Sequence, residues 1–303
     1  MKKAAKYLLA LSLFCSGALK KEITRLKKQS CILGIYAHEL GAKEFEKYIR
    51  WLLRQGFEFI SLEEVAGFLE GRYEINGCKI WFSLDDGWRS NLELIPVIEK
   101  YNIPLTLFIP TYPVETGYDR DTLEHELTEY LPDKYKENVK LLMEIPEEER
   151  WNIDRELYNQ AKGKLKRVVI TIDELKKLAQ HPLVSIGAHT HTHPVLSKCS
   201  KVKIKEEIVL NLLKLKGYVN VKPELLALPN GNYNGRVLET ILETDIKHIA
   251  SIENGKILND NTVLPLPRNG IATASFYENC CRMMDFWYPN TQKIKQELNI
   301  KLS

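Results

Sequence analysis

Two adjacent carboxylates, Asp85 and Asp86, follow directly on the apolar run Trp81-Phe82-Ser83-Leu84 and precede Gly87. Side by side at the end of a strand they repel one another and resist desolvation unless a cation or a proton lies between them. Taken alone, Asp-Asp-Gly is more often a turn, because Asp-Gly is a favoured turn pair. A second cluster points to chemistry. In Ile186-Gly187-Ala188-His189-Thr190-His191-Thr192-His193-Pro194, three of the seven histidines fall within five residues, directly after an apolar strand. On a helical turn or tight loop His189 and His193, four apart, can face one side as two metal ligands require, and His191 then faces elsewhere. A third stretch, Leu226-Ala227-Leu228-Pro229-Asn230-Gly231-Asn232-Tyr233, reads as a strand entering a Pro-Asn-Gly turn. By itself that is a plain turn; beside the other two, its backbone N–H groups could serve an oxyanion.

The elements that must hold these groups are short apolar runs alternating with amphipathic stretches, the pattern of repeated strand–helix units. The strands are expected at Cys31–Ala37, Phe57–Ser61, Lys79–Leu84, Pro104–Ile109, Val184–His189, Leu225–Leu228 and His248–Ile252, with a last one at Thr262–Leu266. Helices are expected at Lys43–Gln55, where Phe45, Tyr48, Ile49 and Leu52 recur at three- and four-residue steps before Gly56. Others follow Ser61, whose spacing to Glu64 is that of a capping box, and cover Asn91–Tyr101 and Ile172–Gln180. Seven or eight such units make an α/β fold, a (β/α) barrel with or without distortion, with a doubly wound open sheet as the alternative; both set catalytic groups at the carboxyl ends of strands. Residues 116–167, charged and helix-prone, interrupt the rhythm. They read as an insertion, either a solvated helical surface or a lid over the site.

At 303 residues, 44% hydrophobic and 27% charged, the chain has the composition of a globular protein of enzyme size. A net charge of +3 without basic clusters interleaved with stacking aromatics gives no support for nucleic acid as a partner. Residues 1–30 form a basic and apolar N-terminal segment, and residues 31–303 the catalytic domain. Lys2, Lys3, Lys6, Lys20, Lys21, Arg25, Lys27 and Lys28 flank the run Tyr7–Leu19 against one acid, Glu22. The run is too short to span a bilayer, which takes about 20 residues. It reads as a signal-peptide core with a Ser16-Gly17-Ala18 cleavage site, as an uncleaved helix in peripheral contact with an anionic membrane, or as a helix packed on the domain. The cluster Lys20–Lys28 opposes translocation, which favours a cytoplasmic or inner-membrane-associated protein over a secreted or periplasmic one. The six cysteines form no CxxC pair or disulfide-scaffold spacing.

Phe82-Ser83-Leu84-Asp85-Asp86-Gly87 resembles the first motif of the polysaccharide deacetylases, carbohydrate esterase family 4. Gly187-Ala188-His189-Thr190-His191-Thr192-His193-Pro194 is similar to their second motif and Leu228-Pro229-Asn230-Gly231 to their third, in the same order and at similar spacing. Ile35-Tyr36-Ala37-His38 and Phe57–Leu62 resemble the family's opening strands, so the likeness runs over about residues 31 to 270. The resemblance implies a distorted (β/α)7 barrel and a divalent metal held by Asp86, His189 and His193, zinc in the first place, with cobalt and nickel as alternatives. It implies Asp85 as general base and a carbohydrate as substrate, from which a metal-activated water removes N-acetyl groups. The backbone N–H near Asn230 would meet the oxyanion. Trp88 and Tyr233 are candidates for stacking on a sugar ring, with core packing or surface exposure as the plainer reading.

The chain departs from the family pattern in three places. The third motif lacks its arginine, Ala227 or Leu225 standing near that place, and Asn230 replaces the usual tyrosine. No late strand ends in a catalytic histidine; Leu264-Pro265-Leu266-Pro267-Arg268-Asn269-Gly270-Ile271 stands there instead. Arg268 is thus a candidate to supply the missing charge beside Asp85, or a surface arginine. The general acid falls to His38 at the end of the first strand, with His125, His181, His191 and His248 behind it. Two rival functions remain: a catalytically impaired metal- or carbohydrate-binding module, and a hydrolase of another non-peptide C–N bond.

Overall fold

The computed structural model describes residues 3–259, 265–271 and 275–287. In chain order the helices are α1 (Lys3–Cys15), α2 (Ala18–Leu26), α3 (Ala42–Arg54), α4 (Leu62–Leu69), α5 (Ile95–Tyr101), α6 (Thr111–Thr116), α7 (Arg120–Glu126), α8 (Asp133–Lys136), α9 (Glu147–Ala161), α10 (Ile172–Ala179), α11 (Lys201–Val219), α12 (Gly235–Leu242) and α13 (Phe276–Met283). The strands are β1 (Cys31–Ala37), β2 (Glu58–Phe59), β3 (Cys78–Leu84), β4 (Leu105–Ile109), β5 (Val184–Ala188), β6 (Leu225–Ala227), β7 (His248–Ala250) and β8 (Asn269–Gly270).

β1, β3 and β4 are apolar almost throughout because both of their faces are covered, as a parallel sheet with flanking helices demands. All strand pairs are parallel, in the order β7-β6-β5-β4-β3-β1-β8, with β2 on the first half of β3. The sheet curls into a distorted (β/α)7 barrel. Its last segment bridges the two ends of the curl: Leu266 hydrogen-bonds with Ile249 and Ser251 around β7, while β8 pairs with β1 at Ile35 and Tyr36. Of the expected last strand, residues 262–264 lie outside the described residues. Gly34 lets this segment pass, because a Cβ there would sit 2.9 Å from the Pro267 carbonyl and 3.1 Å from Arg268 Cγ.

The helices follow their patterns. α3 buries Phe45, Tyr48, Ile49, Trp51 and Leu52 and leaves its cations outside. The Ser61–Glu64 capping box at α4 is formed in both directions. The Asn91–Tyr101 stretch divides: Arg89–Leu94 is a 3₁₀ turn, and α5 starts behind it with Pro96 in its first turn, where a missing N–H costs nothing. The expected Phe57–Ser61 strand shortens to two paired residues, although Ile60 still donates to the Ile80 carbonyl at 2.9 Å.

Residues 117–167 are tied at the neck, where the Gly117 carbonyl accepts from Val168 and Val169 at 2.9 and 3.2 Å. Beyond the neck α7, α8 and α9 enclose a small core of Leu123, Leu127, Leu131, Tyr135, Leu142, Leu157, Tyr158 and Ala161. At the other end of the chain, α1 and α2 add Ala10, Leu19, Ile23 and Leu26 to the main core. α1 thus lies packed on the domain, and among the described residues no helix is long and apolar enough to cross a membrane.

Candidate active site

The carboxyl ends of β1, β3, β5 and β6 converge on a cavity of about 560 Å³. Asp86 leaves β3 with φ of 70°, and His193 closes the loop after β5 with φ of 57°. Thr190 (63°) and Asn230 (57°) also hold left-handed backbone. Four non-glycine residues in that region, each at a cost of order 1–3 kcal/mol, persist only where surrounding contacts impose them.

Those contacts are present. The His189 backbone N–H donates to Asn211 Oδ1 at 3.2 Å, and those of His191 and Thr192 donate to Glu207 at 3.1 and 2.7 Å, all from α11 behind the loop. From the insertion, Arg120 donates to the His193 carbonyl at 3.4 Å, and Glu147 accepts from the Val195 N–H at 3.2 Å. Arg120 is fully buried and paired with Glu147 at 2.6 Å and with Asp154. The loop that carries His189 and His193 is therefore gripped from the barrel on one side and from the insertion on the other.

His189 Nε2 and His193 Nε2 both approach Asp86 Oδ1 at 3.2 Å, and all three donors lie within 4.8 Å of one another. His189 Nδ1 donates to the Ala227 carbonyl at 2.8 Å, which orients the ring with Nε2 inward. Burial would raise the Asp86 pKa, but His193 and His189 outweigh it and hold the carboxyl well below its ordinary range. Burial lowers His193 in turn, yet Asp86 pulls it above its usual value. Two imidazoles and one carboxylate, buried and converging, are a donor set suited to a divalent cation. His191 turns away, its Nδ1 sharing a 2.8 Å hydrogen bond with the Thr111 hydroxyl.

Asp85 is locked beside this group. Arg268, fully buried, donates from Nη1 to Oδ1 and from Nη2 to Oδ2, both at 2.8 Å. The same guanidinium reaches Ser83 Oγ and the Ser251 carbonyl at 3.0 Å, and stacks over Tyr36 and Phe108 at 4.9 and 5.0 Å. Burial pushes Asp85 up, while Arg268 foremost and then His189 push it down; the net effect keeps it charged, below its usual value. The structure thus brings Arg268 to Asp85 and removes the surface reading of that arginine.

The remaining residues singled out in the sequence divide between the cavity and its surroundings. His38 lines the cavity, half-exposed, with Nε2 3.9 Å from Asp86 Oδ2. Trp88 lines it too, and its indole donates to Asp86 Oδ2 at 3.3 Å. Asn230 lies in the wall with its Nδ2 buried and unpartnered. Tyr233 does not line the cavity: its hydroxyl donates to Glu253 at 2.8 Å and its ring packs on the β6–α12 core, so the stacking expectation fails there. His181 pairs with Glu99, and His248, at the amino end of β7, with Glu70; neither reaches the site. His125 does reach the wall, its Nδ1 donating to the Asp121 carbonyl at 2.8 Å.

Sequence reasoning left the insertion open between a solvated surface and a lid and named only His125 in it; Asp119, Asp121, Thr122 and Glu126 line the cavity beside that histidine. Asp119 caps α7, accepting from the Thr122 N–H at 2.9 Å and its hydroxyl at 3.0 Å. Burial, with Asp86 and Asp121 nearby, pushes its pKa up to about 6. The Asp119–Thr122 spacing was a readable capping signal, but nothing local says which way the cap faces.

A family model described as polysaccharide deacetylase matches residues 74–249. This chain belongs to the polysaccharide deacetylase family. YxkH of Bacillus subtilis (strain 168), whose name assigns it provisionally to the polysaccharide deacetylases, is 20% identical over 227 residues. That alignment takes in 75% of this chain and 63% of YxkH, so the chain spans less than two thirds of that relative's length. Among solved structures, the Streptococcus pyogenes deacetylase PplD in complex with acetate is similar at 18% identity and TM-score 0.60, over 84% of this chain and 98% of its own. IcaB from Ammonifex degensii is similar at 15% identity and TM-score 0.63, over 86% and 98%. At these identities the likeness to the two structures is one of fold.

Proposed function

We propose that this polysaccharide deacetylase family member is a metal-dependent hydrolase that removes N-acetyl groups from an amino sugar or polysaccharide. The observation that carries the reading is the adjacency of two built groups: the Asp86–His189–His193 donor set and the Asp85–Arg268 pair beside it. A binding site alone has no use for a second, arginine-braced carboxylate at the position of a base.

A divalent cation held by Asp86 Oδ1, His189 Nε2 and His193 Nε2 would supply Lewis acidity to the acetamide carbonyl and to the attacking water. Zinc suits this donor set best, with cobalt and nickel as substitutes. Asp85 accepts the proton of the water as it attacks the acetamide carbon. Arg268 keeps Asp85 ionised and fixes the direction of its lone pairs, because both carboxylate oxygens are held by one planar fork. Asn230 donates to the developing oxyanion, from its backbone N–H or from the unpartnered Nδ2. His38, exposed at the mouth, protonates the leaving amine; His125 on the facing wall is its competitor.

The test is acetate release from a panel of N-acetyl sugars and their oligomers, with zinc or cobalt and again after chelation. Metal-dependent release that Asp85→Asn lowers supports the proposal. Bound metal with no acetate from any member of the panel overturns it in favour of a binding module. Release lost in His38→Gln but kept in His125→Gln assigns the acid to His38, and the opposite result moves it to the insertion.

A further inference from the structure

Away from the cavity, α1, α3 and α13 enclose a groove of about 430 Å³ along the flank of the barrel. Its floor is aromatic, from Phe14, Trp51, Phe276 and Tyr277. Its rim is cationic: Lys43, Lys47, Arg50 and Arg54 recur at four- and three-residue steps and so form one stripe along α3. No ion pair engages any of the four among the described residues; Lys47 instead sits 4.1 Å over the Phe276 ring. The one acid in the groove, Glu46, is occupied by Lys100 at 2.8 Å and by the Tyr101 hydroxyl at 2.7 Å. Next to this stripe α1 presents Tyr7, Leu8 and Leu9 to solvent at 42, 63 and 45% exposure. The Tyr7 ring meets Tyr277 edge-on at 6.0 Å, but a core-packing helix has no reason to turn Leu8 and Leu9 outward.

Outward leucines, an aromatic band and a row of cations whose one acid in the groove, Glu46, is engaged by Lys100 and Tyr101 are the components of a helix that lies in a membrane interface. We infer that α1 and the basic stripe of α3 together dock this protein on an anionic lipid bilayer, Leu8 and Leu9 entering the boundary between headgroups and acyl chains and the four cations meeting lipid phosphates. Charge complementarity commits the occupant: a neutral bilayer would use the leucines and leave the cations idle. α3 starts four residues after His38, so the docked face begins level with the mouth of the cavity and runs down the barrel from there. The mouth then stands beside the bilayer rather than pressed into it. This inference is independent of the proposed reaction.

Flotation of the full chain with vesicles tests it, using phosphatidylcholine alone and phosphatidylcholine mixed with phosphatidylglycerol. Flotation is expected with the mixed vesicles, weakening as salt rises. The double variant Arg50→Glu with Arg54→Glu should lower partitioning at least about 25-fold, about fivefold for each cation removed. Leu8→Asp with Leu9→Asp should lower it at least about tenfold. Unchanged melting temperature shows that the variants fold; if the charge reversals melt early, Arg50→Gln with Arg54→Gln takes their place. Equal flotation with phosphatidylcholine alone, flotation with neither, or flotation unaffected by both folded variants overturns the inference.

Discussion

Arg268 and Arg120 are both fully buried, both meet carboxylates and both stand next to the cavity. They hold different things. Arg268 grips a side chain, Asp85, from inside the barrel, and its effect is electrostatic: it sets the charge and direction of one carboxylate. Arg120 grips a backbone, the His193 carbonyl, from the insertion, and its carboxylate partners are all neighbours in that insertion. One arginine sets a carboxylate side chain, and the other fixes where the loop that carries His189 and His193 lies. A buried guanidinium has no role until the atom at its end is known.

Four experiments break or sharpen that contrast. The largest effect is expected for Arg268→Met, which strands Asp85 as a buried charge at a cost of about 3–5 kcal/mol. Turnover falls about 10²- to 10⁴-fold, the scale of losing a positioned base, while metal affinity by calorimetry stays near the parent's. Unchanged turnover would remove Arg268 from the site and end the comparison. Arg120→Met should do the converse: metal binds about 10- to 100-fold more weakly, and turnover recovers when metal is saturating. A fall in saturated turnover with metal affinity intact would make the two arginines alike.

The pH dependence of stability separates the two regions next, in chelated protein followed by melting temperature. Asp85 is held below its ordinary 3.8, so its pairing stabilises fully above about pH 3.8 and is lost as pH falls through the lower folded value. Asp119, on the insertion side, has the opposite sign. Its folded pKa of about 6 exceeds the unfolded 3.8, so stability falls as pH rises from about 4 to about 6, and Asp119→Asn should level that slope. A slope unchanged by the variant assigns the pH effect to another group. The smallest effect is Trp88→Phe, which deletes the indole donor at 3.3 Å from Asp86. About 1 kcal/mol, or roughly fivefold in metal affinity, is expected; a loss above a hundredfold would show the indole to be part of the ligand scaffold itself.

The same division marks what the sequence could disclose. Strand β1 and the ends of β3, β4 and β5 were legible because a strand covered on both faces must be apolar, and the chemistry then sits in the next residue. Asp85, Asp86, His189 and His193 were visible for that reason. Arg268 was named as a partner of Asp85 only from what the family pattern lacked, with a surface arginine as the equal reading, since it meets Asp85 across 183 positions of chain, by way of a two-residue strand no pattern marks. Asp119 and Glu126 were hidden, and His125 was named without a place, because a charged amphipathic stretch looks the same whether it faces water or a wall of the cavity. Tyr233 misled by proximity: adjacency to a motif in sequence says nothing about which side of a turn a ring leaves on.

The barrel's last segment carries a consequence for biosynthesis. Every group of the donor set is translated by residue 193, and Asp85 well before that, yet its arginine arrives at residue 268 with the strand that joins β7 to β1. A nascent chain emerging from the ribosome therefore holds a half-built barrel with an uncompensated carboxylate at its centre. A message truncated between the codons for residues 250 and 268 yields a product that carries β1 to β7 and leaves Asp85 unbraced.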